Sequence, residues 1–225
     1  MTAGEAEIGS DEAGKGPVLG PMVAAAVRAP PGLLPDDVDD SKRLSPATRE
    51  SIAETIRDRD DIAIGVAVVS TDRIDDPETD MNTLTVAAHA EAVAAVAGDG
   101  DAVVADAGDV SESRFARRVR EGLADAGSEA TVTVNAEHGA DESYPLVAAA
   151  SVVAKVRRDA RIDALDEEYA EFGPVGSGYP SDPTTRDFLR RYVAATGELP
   201  DCARASWSTS ADVLAAAEQS GLSEF

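Results

Sequence analysis

Apolar residues recur along the chain with two different periods, and the switches between them mark out the elements. Residues Ile8–Val27 run from an apolar start through a polar, glycine-rich turn into an apolar stretch interrupted by Pro17 and Pro21, which predicts strand, loop, strand. Ser45-Pro46 sets a capping hydroxyl before a proline suited to the first helical position, so a helix should run on to about Arg59. Ile62–Val69 alternates loosely and reads as a strand. Asn82–Ala97 is rich in alanine, with Leu84, Ala88 and Val93 sharing one face, and reads as a helix. Ala102–Ala105 is a short buried strand ending at Asp106. Ser111–Ala126 is a helix closed by Gly127, and Thr131–Asn135 is another strand. A long helix is expected from Pro145 to about Phe172, a further one from Asp182-Pro183 to near Gly197, and a last one over Ser210–Gln219. Strands and helices alternate in the centre, and helices gather towards the C-terminus. The expectation is an α/β sheet domain with a helical extension.

The charge changes this picture most. The chain of 225 residues has 43 acidic against 20 basic residues and a net charge of −23. Phosphates attract Lys and Arg, so such a balance ordinarily counts against nucleic acid. Lysine, however, occurs only at Lys15, Lys42 and Lys155, and the carboxylates are spread over the whole length rather than gathered in a tail. That distribution fits a protein adapted to a very salty cytosol. At molar salt the Debye length is ~3 Å, so long-range repulsion from phosphates nearly vanishes. An apolar content of 43% suits a folded protein, and the single cysteine, Cys202, excludes an intramolecular disulfide. No basic segment followed by an apolar stretch opens the chain, and no apolar run approaches the ~20 residues that span a bilayer. The expectation is a cytoplasmic protein, monomeric and away from membranes.

The most specific segment is Asp11-Glu12-Ala13-Gly14-Lys15-Gly16-Pro17. Two adjacent carboxylates stand at a strand end, just before two glycines that let the backbone bend and approach another molecule closely. An acidic pair in so acidic a chain would ordinarily be a solvated turn. Here it adjoins apolar sequence on both sides, and carboxylates at the edge of a core are costly unless a cation offsets them. No cysteine–histidine cluster offers a zinc site, since the histidines are only His89 and His138. His89 reads as an ordinary helix residue; His138, close to Asp141, is placed to touch the site, although a solvated turn is the preferred reading.

The run DEAGKGPVLGPMV resembles the signature of ribonuclease HII, a family with the ribonuclease H fold, and further segments match in the same order. They are Asp40-Ser41-Lys42 with Leu44-Ser45; Asn82 and Leu84; Val104-Ala105-Asp106-Ala107; Ala140-Asp141 with Tyr144-Pro145 and the helix through Ser151 and Lys155; Gly176 to Pro183; and Ser206-Trp207. The resemblance covers nearly the whole chain. It implies a ribonuclease H-like mixed sheet flanked by helices, with a catalytic domain over 1–180, a helical extension over 181–218 and a tail over 219–225. It also implies an endonuclease that cuts the RNA strand of RNA–DNA hybrids and cuts at ribonucleotides embedded in duplex DNA, leaving 3′-hydroxyl and 5′-phosphate ends. Carried over by position, the family's metal-binding carboxylates are Asp11, Glu12, Asp106 and Asp141, holding two Mg²⁺ or Mn²⁺ ions. The family's readers of the ribose 2′-hydroxyl fall on the backbone of Gly14, Lys15 and Gly16 and on Tyr179, with Lys15 where arginine is more common.

All three lysines lie inside matched motifs. For Lys42 and Lys155, pairing with nearby carboxylates and contact with phosphate or support of the metal site stand as equal alternatives. The ending Gln219-x-x-Leu222-x-x-Phe225 resembles the box that binds the sliding clamp (PCNA), one aromatic short. Ribonuclease HIII shares DEAGKG but carries an extra N-terminal domain, whereas ten residues precede Asp11 here. A catalytically silent hybrid-binding protein is opposed by the full set of four carboxylates. A small-molecule phosphohydrolase is opposed by the Gly-x-Gly and Tyr179 elements.

Overall fold

A computed structural model describes residues 6–30, 32–34 and 44–222, with backbone alone at 220–222. Five strands form one sheet: β1 (Glu7–Ala13), β2 (Met22–Ala29), β3 (Ala63–Val69), β4 (Ala102–Asp106) and β5 (Thr133–Glu137), in the order β3-β2-β1-β4-β5. β1 runs antiparallel to β2 and parallel to β4, and β4 runs parallel to β5, so the sheet is mixed. The helices are α1 (Pro46–Arg57), α2 (Thr71–Ile74), α3 (Met81–Ala94), α4 (Glu112–Asp125), α5 (Pro145–Glu168), α6 (Pro183–Thr196) and α7 (Ser208–Leu222). The expected elements are all present. α2 and the 3₁₀ turn Ala140–Glu142 are additions, and the long helix expected to reach about Phe172 ends at Glu168, followed by a separate 3₁₀ turn at Ala170–Phe172. A one-turn element has too few residues to show a hydrophobic period, so the sequence carried no signal for them. The Ser45 cap forms as expected, its hydroxyl accepting the Thr48 N–H at 3.2 Å with Pro46 following.

The chain divides into two compact units. The first comprises Met1–Ala13, Val23–Val68 and Met81–Arg157; the second comprises Gly14–Met22, Val69–Asp80 and Arg158–Phe225. In the first, β2 is buried on both faces, as a central strand covered by helices must be. Val23, Ala25, Val27 and Ala29 pack with Ile52 and Ile56 of α1 and with Ala148, Val152 and Val153 of α5. On the opposite face, α3 comes so close that a Cβ at Gly65 of β3 would lie 2.0 Å from the Ala92 carbonyl oxygen. β1 approaches the start of α5 just as tightly. A Cβ at Gly9 would lie 2.1 Å from the Leu146 carbonyl carbon.

The second unit is built on Val18, Leu19, Ile162, Val175, Phe188, Leu189 and Val193. Leu19 bridges to Ala203, and the Gly178 carbonyl accepts from Val18 N–H at 2.8 Å and Leu19 N–H at 3.2 Å. Cys202 is buried there, and burial pushes its thiol up to about 12. Among the described residues no helix is long and apolar enough to cross a membrane.

Candidate active site

The carboxylates singled out in the sequence all belong to the first unit, at one end of its parallel strands. The β1–β4 register ends at Ser10↔Ala105, so Asp11 and Asp106 are the next residue on each strand. Asp141 is held in the 3₁₀ turn Ala140–Glu142, and the Ala140 N–H donates to Asp106 Oδ1 at 2.8 Å.

Because side chains alternate along a strand, Asp11 and Glu12 leave β1 on opposite faces. Asp11 is buried on the α5 side, where it is hydrogen-bonded to Ser151, and its Oδ1 accepts the Glu12 N–H at 2.7 Å. Burial raises the Asp11 carboxyl well above the usual range, and the charges of Glu12 and Asp106 raise it further. Burial likewise raises Asp106, and so do the charges of Glu12 and Asp141, against the pull of the Ala140 and Gly139 N–H groups. Each of the four is therefore an electrostatic neighbour of at least one other.

Glu12 turns towards α3, where His89 is fully buried. The Ser10 hydroxyl spends its proton on the Ala25 carbonyl at 3.1 Å, so at 2.9 Å it must accept from His89 Nδ1. His89 Nε2 meets Glu12 Oε2 at 2.9 Å. Phe115 packs edge-on against the ring, with centroids 5.1 Å apart. His89, read from the sequence as an ordinary helix residue, instead fixes the orientation of Glu12. Its signal was faint: one polar ring on an alanine-rich helix, 77 residues from its partner. His138 is close enough to the site to feel the charge of Asp106. It bonds the Asp109 carbonyl through Nε2 at 2.8 Å and Glu112 through Nδ1 at 2.9 Å, and these contacts, with the charges of Glu112 and Asp106, raise its pKa.

Among the described residues no three His, Cys, Asp or Glu side chains close into a metal cage. The donor set nevertheless suits a hard divalent cation. Every ligand atom offered is a carboxylate oxygen, and the mutual repulsion that raises Asp11 and Asp106 is what a cation would relieve. Lys155 is half-buried on α5, one turn after Ser151 and on the same helical face. Lys42 lies outside the described residues.

The second unit holds Gly14, Lys15, Gly16 and Tyr179. Gly14 has φ +88°, and a Cβ there would lie 2.8 Å from the Pro21 carbonyl oxygen, so only glycine fits. A Cβ at Gly16 would be 3.9 Å from Tyr179 Cε1, which brings loop and ring together. Two buried arginines, which no sequence pattern singles out, support them. The Arg158 guanidinium lies over the Tyr179 ring, its Cζ 5.2 Å from the centroid, and donates to the Ser177 carbonyl at 2.6 Å; its buried Nε has no partner among the described residues. Arg204 donates from Nε to the Gly20 carbonyl at 3.0 Å, from one terminal nitrogen to Lys15 at 2.9 Å and from the other to Gly14 at 2.6 Å. Gln219 is exposed in the last turn of α7; nothing is described of the Leu222 side chain, and Phe225 lies outside the described residues.

A mixed sheet in this strand order, flanked by helices and carrying acidic residues at the ends of its parallel strands, defines a nuclease of the ribonuclease H fold class. The model of the ribonuclease HII family matches residues 8–210, and the chain belongs to that family. The ribonuclease HII of Halobacterium salinarum is 59% identical over 98% of this chain and 100% of its own length. The solved ribonuclease H2 from Pyrococcus horikoshii OT3 superposes with a TM-score of 0.83 at 34% identity, covering 95% of this chain and 99% of that one. The ribonuclease HII solved in complex with PCNA from Archaeoglobus fulgidus gives 0.74 at 37% identity, covering 89% and 94%. The protein is thus a hydrolase, an endoribonuclease acting on RNA–DNA hybrids.

Proposed function

We propose that the protein cuts the RNA strand of hybrids, and also cuts at single ribonucleotides in duplex DNA, with two divalent cations held by Asp11, Glu12, Asp106 and Asp141. Mg²⁺ or Mn²⁺ bound there would activate the attacking water and neutralise charge on the phosphate and the leaving oxygen, yielding a 3′-hydroxyl and a 5′-phosphate. The observation that carries this reading is the mutual electrostatic coupling of these carboxylates at the ends of β1 and β4. Ser151 holds Asp11, His89 holds Glu12, and the Ala140 N–H holds Asp106, so these side chains enter with their orientations restrained.

Recognition of the ribose falls to the backbone of Gly14, Lys15 and Gly16 and to the Tyr179 hydroxyl. Gly14 follows Glu12 by two positions in the chain, so ligand strand and reading loop are covalently consecutive. Lys42 and Lys155 contact phosphate or support the metal site, or else pair with nearby carboxylates; charge-reversed variants with intact hybrid affinity would favour the pairing. Residues 1–180 serve as the catalytic region and 181–218 as its helical extension. The relative from Archaeoglobus fulgidus was solved with PCNA, and the ending Gln219, Leu222 and Phe225 would serve the same partner here. We place the protein in the cytoplasm as a monomer.

The test is a labelled duplex with one embedded ribonucleotide, incubated with Mg²⁺ or Mn²⁺ at high KCl. One nick with a 3′-hydroxyl is expected, lost with Asp106→Asn and slowed with Tyr179→Phe. Cleavage that survives Asp106→Asn rejects the metal site, and unchanged cleavage by Tyr179→Phe rejects the role of the hydroxyl. Clamp binding that persists after deletion of 219–225 rejects the tail's role.

A further inference from the structure

Among the described residues, Val110 is the most exposed of the large apolar side chains, at 89%. Single exposed valines are common on protein surfaces, so exposure alone assigns it nothing. What sets it apart is the frame that holds it. Residues 107–111 join β4 to α4, and their groups are tied down one after another. The Ala107 N–H donates to the Glu137 carbonyl at 2.9 Å. A Cβ at Gly108 would lie 2.7 Å from Thr85 Cγ2 of α3, so the backbone passes close beneath that helix. Asp109 is buried, and its carboxylate accepts from Arg114 Nε at 2.9 Å and from the Val110 and Ser111 N–H groups. Its carbonyl accepts from His138 Nε2 at 2.8 Å, while the same imidazole reaches Glu112 of α4. A short connection held at so many points presents its tip in one orientation. The tip is an apolar side chain facing water.

The loop also stands beside the carboxylates. It leaves the end of β4 directly after Asp106, on the side where open α/β sheets bind their ligands. A Cβ at Gly108 would come within 3.5 Å of Glu12 Oε1, and His138 ties the loop to the chain leading into the Asp141 turn. Val110 follows Asp106 by four positions. Its Cα therefore lies within ~14 Å of the Asp106 Cα. That distance is roughly four nucleotides along one strand at ~3.4 Å each. A duplex with its scissile phosphate at the carboxylates has nucleotides within this range on either side.

The geometry points to Val110 as a substrate-contact residue, whose methyl groups pack against the sugar C–H surface of nucleotides flanking the scissile phosphate. The inference rests on the proposal that Asp11, Glu12, Asp106 and Asp141 hold the cations at that phosphate. Arg114, the cation nearest in the chain, is engaged by Asp109, so the tip offers apolar area rather than charge. Contact of this kind is not screened by dissolved ions.

Steady-state cleavage of an RNA–DNA hybrid in KCl with Mg²⁺ tests this. Val110→Ser removes the apolar area and leaves the backbone bonds of the loop in place. It should raise KM about three- to tenfold and leave kcat within about twofold, the pattern of an interaction made equally in ground and transition states. Because the side chain is exposed, Tm should stay within ~2 °C of the wild type. Val110→Ile, which keeps an apolar tip, should retain the wild-type KM. A Val110→Ser protein with wild-type KM overturns the inference, as does a loss confined to kcat or a rise in KM shared by Val110→Ile. A rise in KM accompanied by a lower Tm would show a structural role and overturn it too. Cleavage that survives Asp106→Asn would instead overturn the reading of the carboxylates on which the inference rests.

Discussion

Replacing Gly9 with alanine would drive a methyl group into the backbone that opens α5. The added Cβ would lie 2.1 Å from the Leu146 carbonyl carbon, 2.2 Å from the Val147 nitrogen and 2.3 Å from the Leu146 oxygen. Carbon atoms in ordinary contact stand about 3.5–4.0 Å apart, so β1 and α5 would have to part by more than ~1 Å. Overpacking of this kind costs about 1–3 kcal/mol, and here the upper end applies because the obstructing atoms are backbone and cannot rotate away. For a chain of this length ~3 kcal/mol lowers Tm by roughly 6–12 °C. The functional effect should be larger than the structural one. Asp11 rides on β1 and its partner Ser151 on α5, so the displacement acts directly on a carboxylate of the site. A misplacement of ~1 Å costs about 100-fold in rate. Thermal melts in KCl and kcat/KM on an RNA–DNA hybrid measure the two effects. A Gly9→Ala protein that melts within ~2 °C of the wild type and cuts at the wild-type rate would refute the close approach and the consequences drawn from it.

His89→Leu keeps most of the buried volume but removes both ring hydrogen bonds. We expect kcat/KM to fall about 10–100-fold, the usual consequence of losing a partner that orients a ligand. Unchanged cleavage would show that Glu12 needs no support. Asp11 and Asp106 have pKa values raised in the folded state, so between the ordinary carboxylate value and their own the native protein binds more protons than the unfolded chain. Stability from these groups is therefore present below the ordinary value and lost as pH rises through the raised ones. A cation must displace those protons, so the rise in Tm caused by Mg²⁺ should grow with pH. Melts with and without Mg²⁺ from about pH 5 to about pH 8 check this, and a rise that is flat or shrinks with pH would contradict it. Gly14→Ala forces a side chain into φ +88° and against the Pro21 carbonyl. Strain of about 1–3 kcal/mol should appear as a lower Tm, together with slower cleavage at a single ribonucleotide; a wild-type melt would refute it.

Much of the fold was legible because it is local. The Ser45-Pro46 start, the alternation in β3 and the glycine closing α4 each depend on neighbours in the chain. Strand order is not local: nothing in the sequence of β4 says that it lies beside β1 rather than beside β3. The same holds for the second unit, which gathers three separated segments around Leu19 and Phe188. At the site, motif resemblance supplied Asp11, Glu12, Asp106 and Asp141. That Asp11 and Glu12 face opposite sides of the sheet was implicit in the period of a strand but emerges only once β1 extends through both. The supporting roles of His89, Arg158 and Arg204 were not legible for a common reason. Each acts through partners far away in the chain, and a histidine in a helix or an arginine in an arginine-using chain carries no pattern of its own.

Arg204, locked onto carbonyls inside the protein, also divides the enzyme's response to ionic strength into two parts. Dissolved ions screen the carboxylate-covered exterior, so salt governs how often a nucleic acid arrives. They cannot enter between a guanidinium and an oxygen 2.6 Å away. Brine should therefore change the frequency of encounters and leave the hydrogen bonds that shape the Gly14–Lys15 loop untouched.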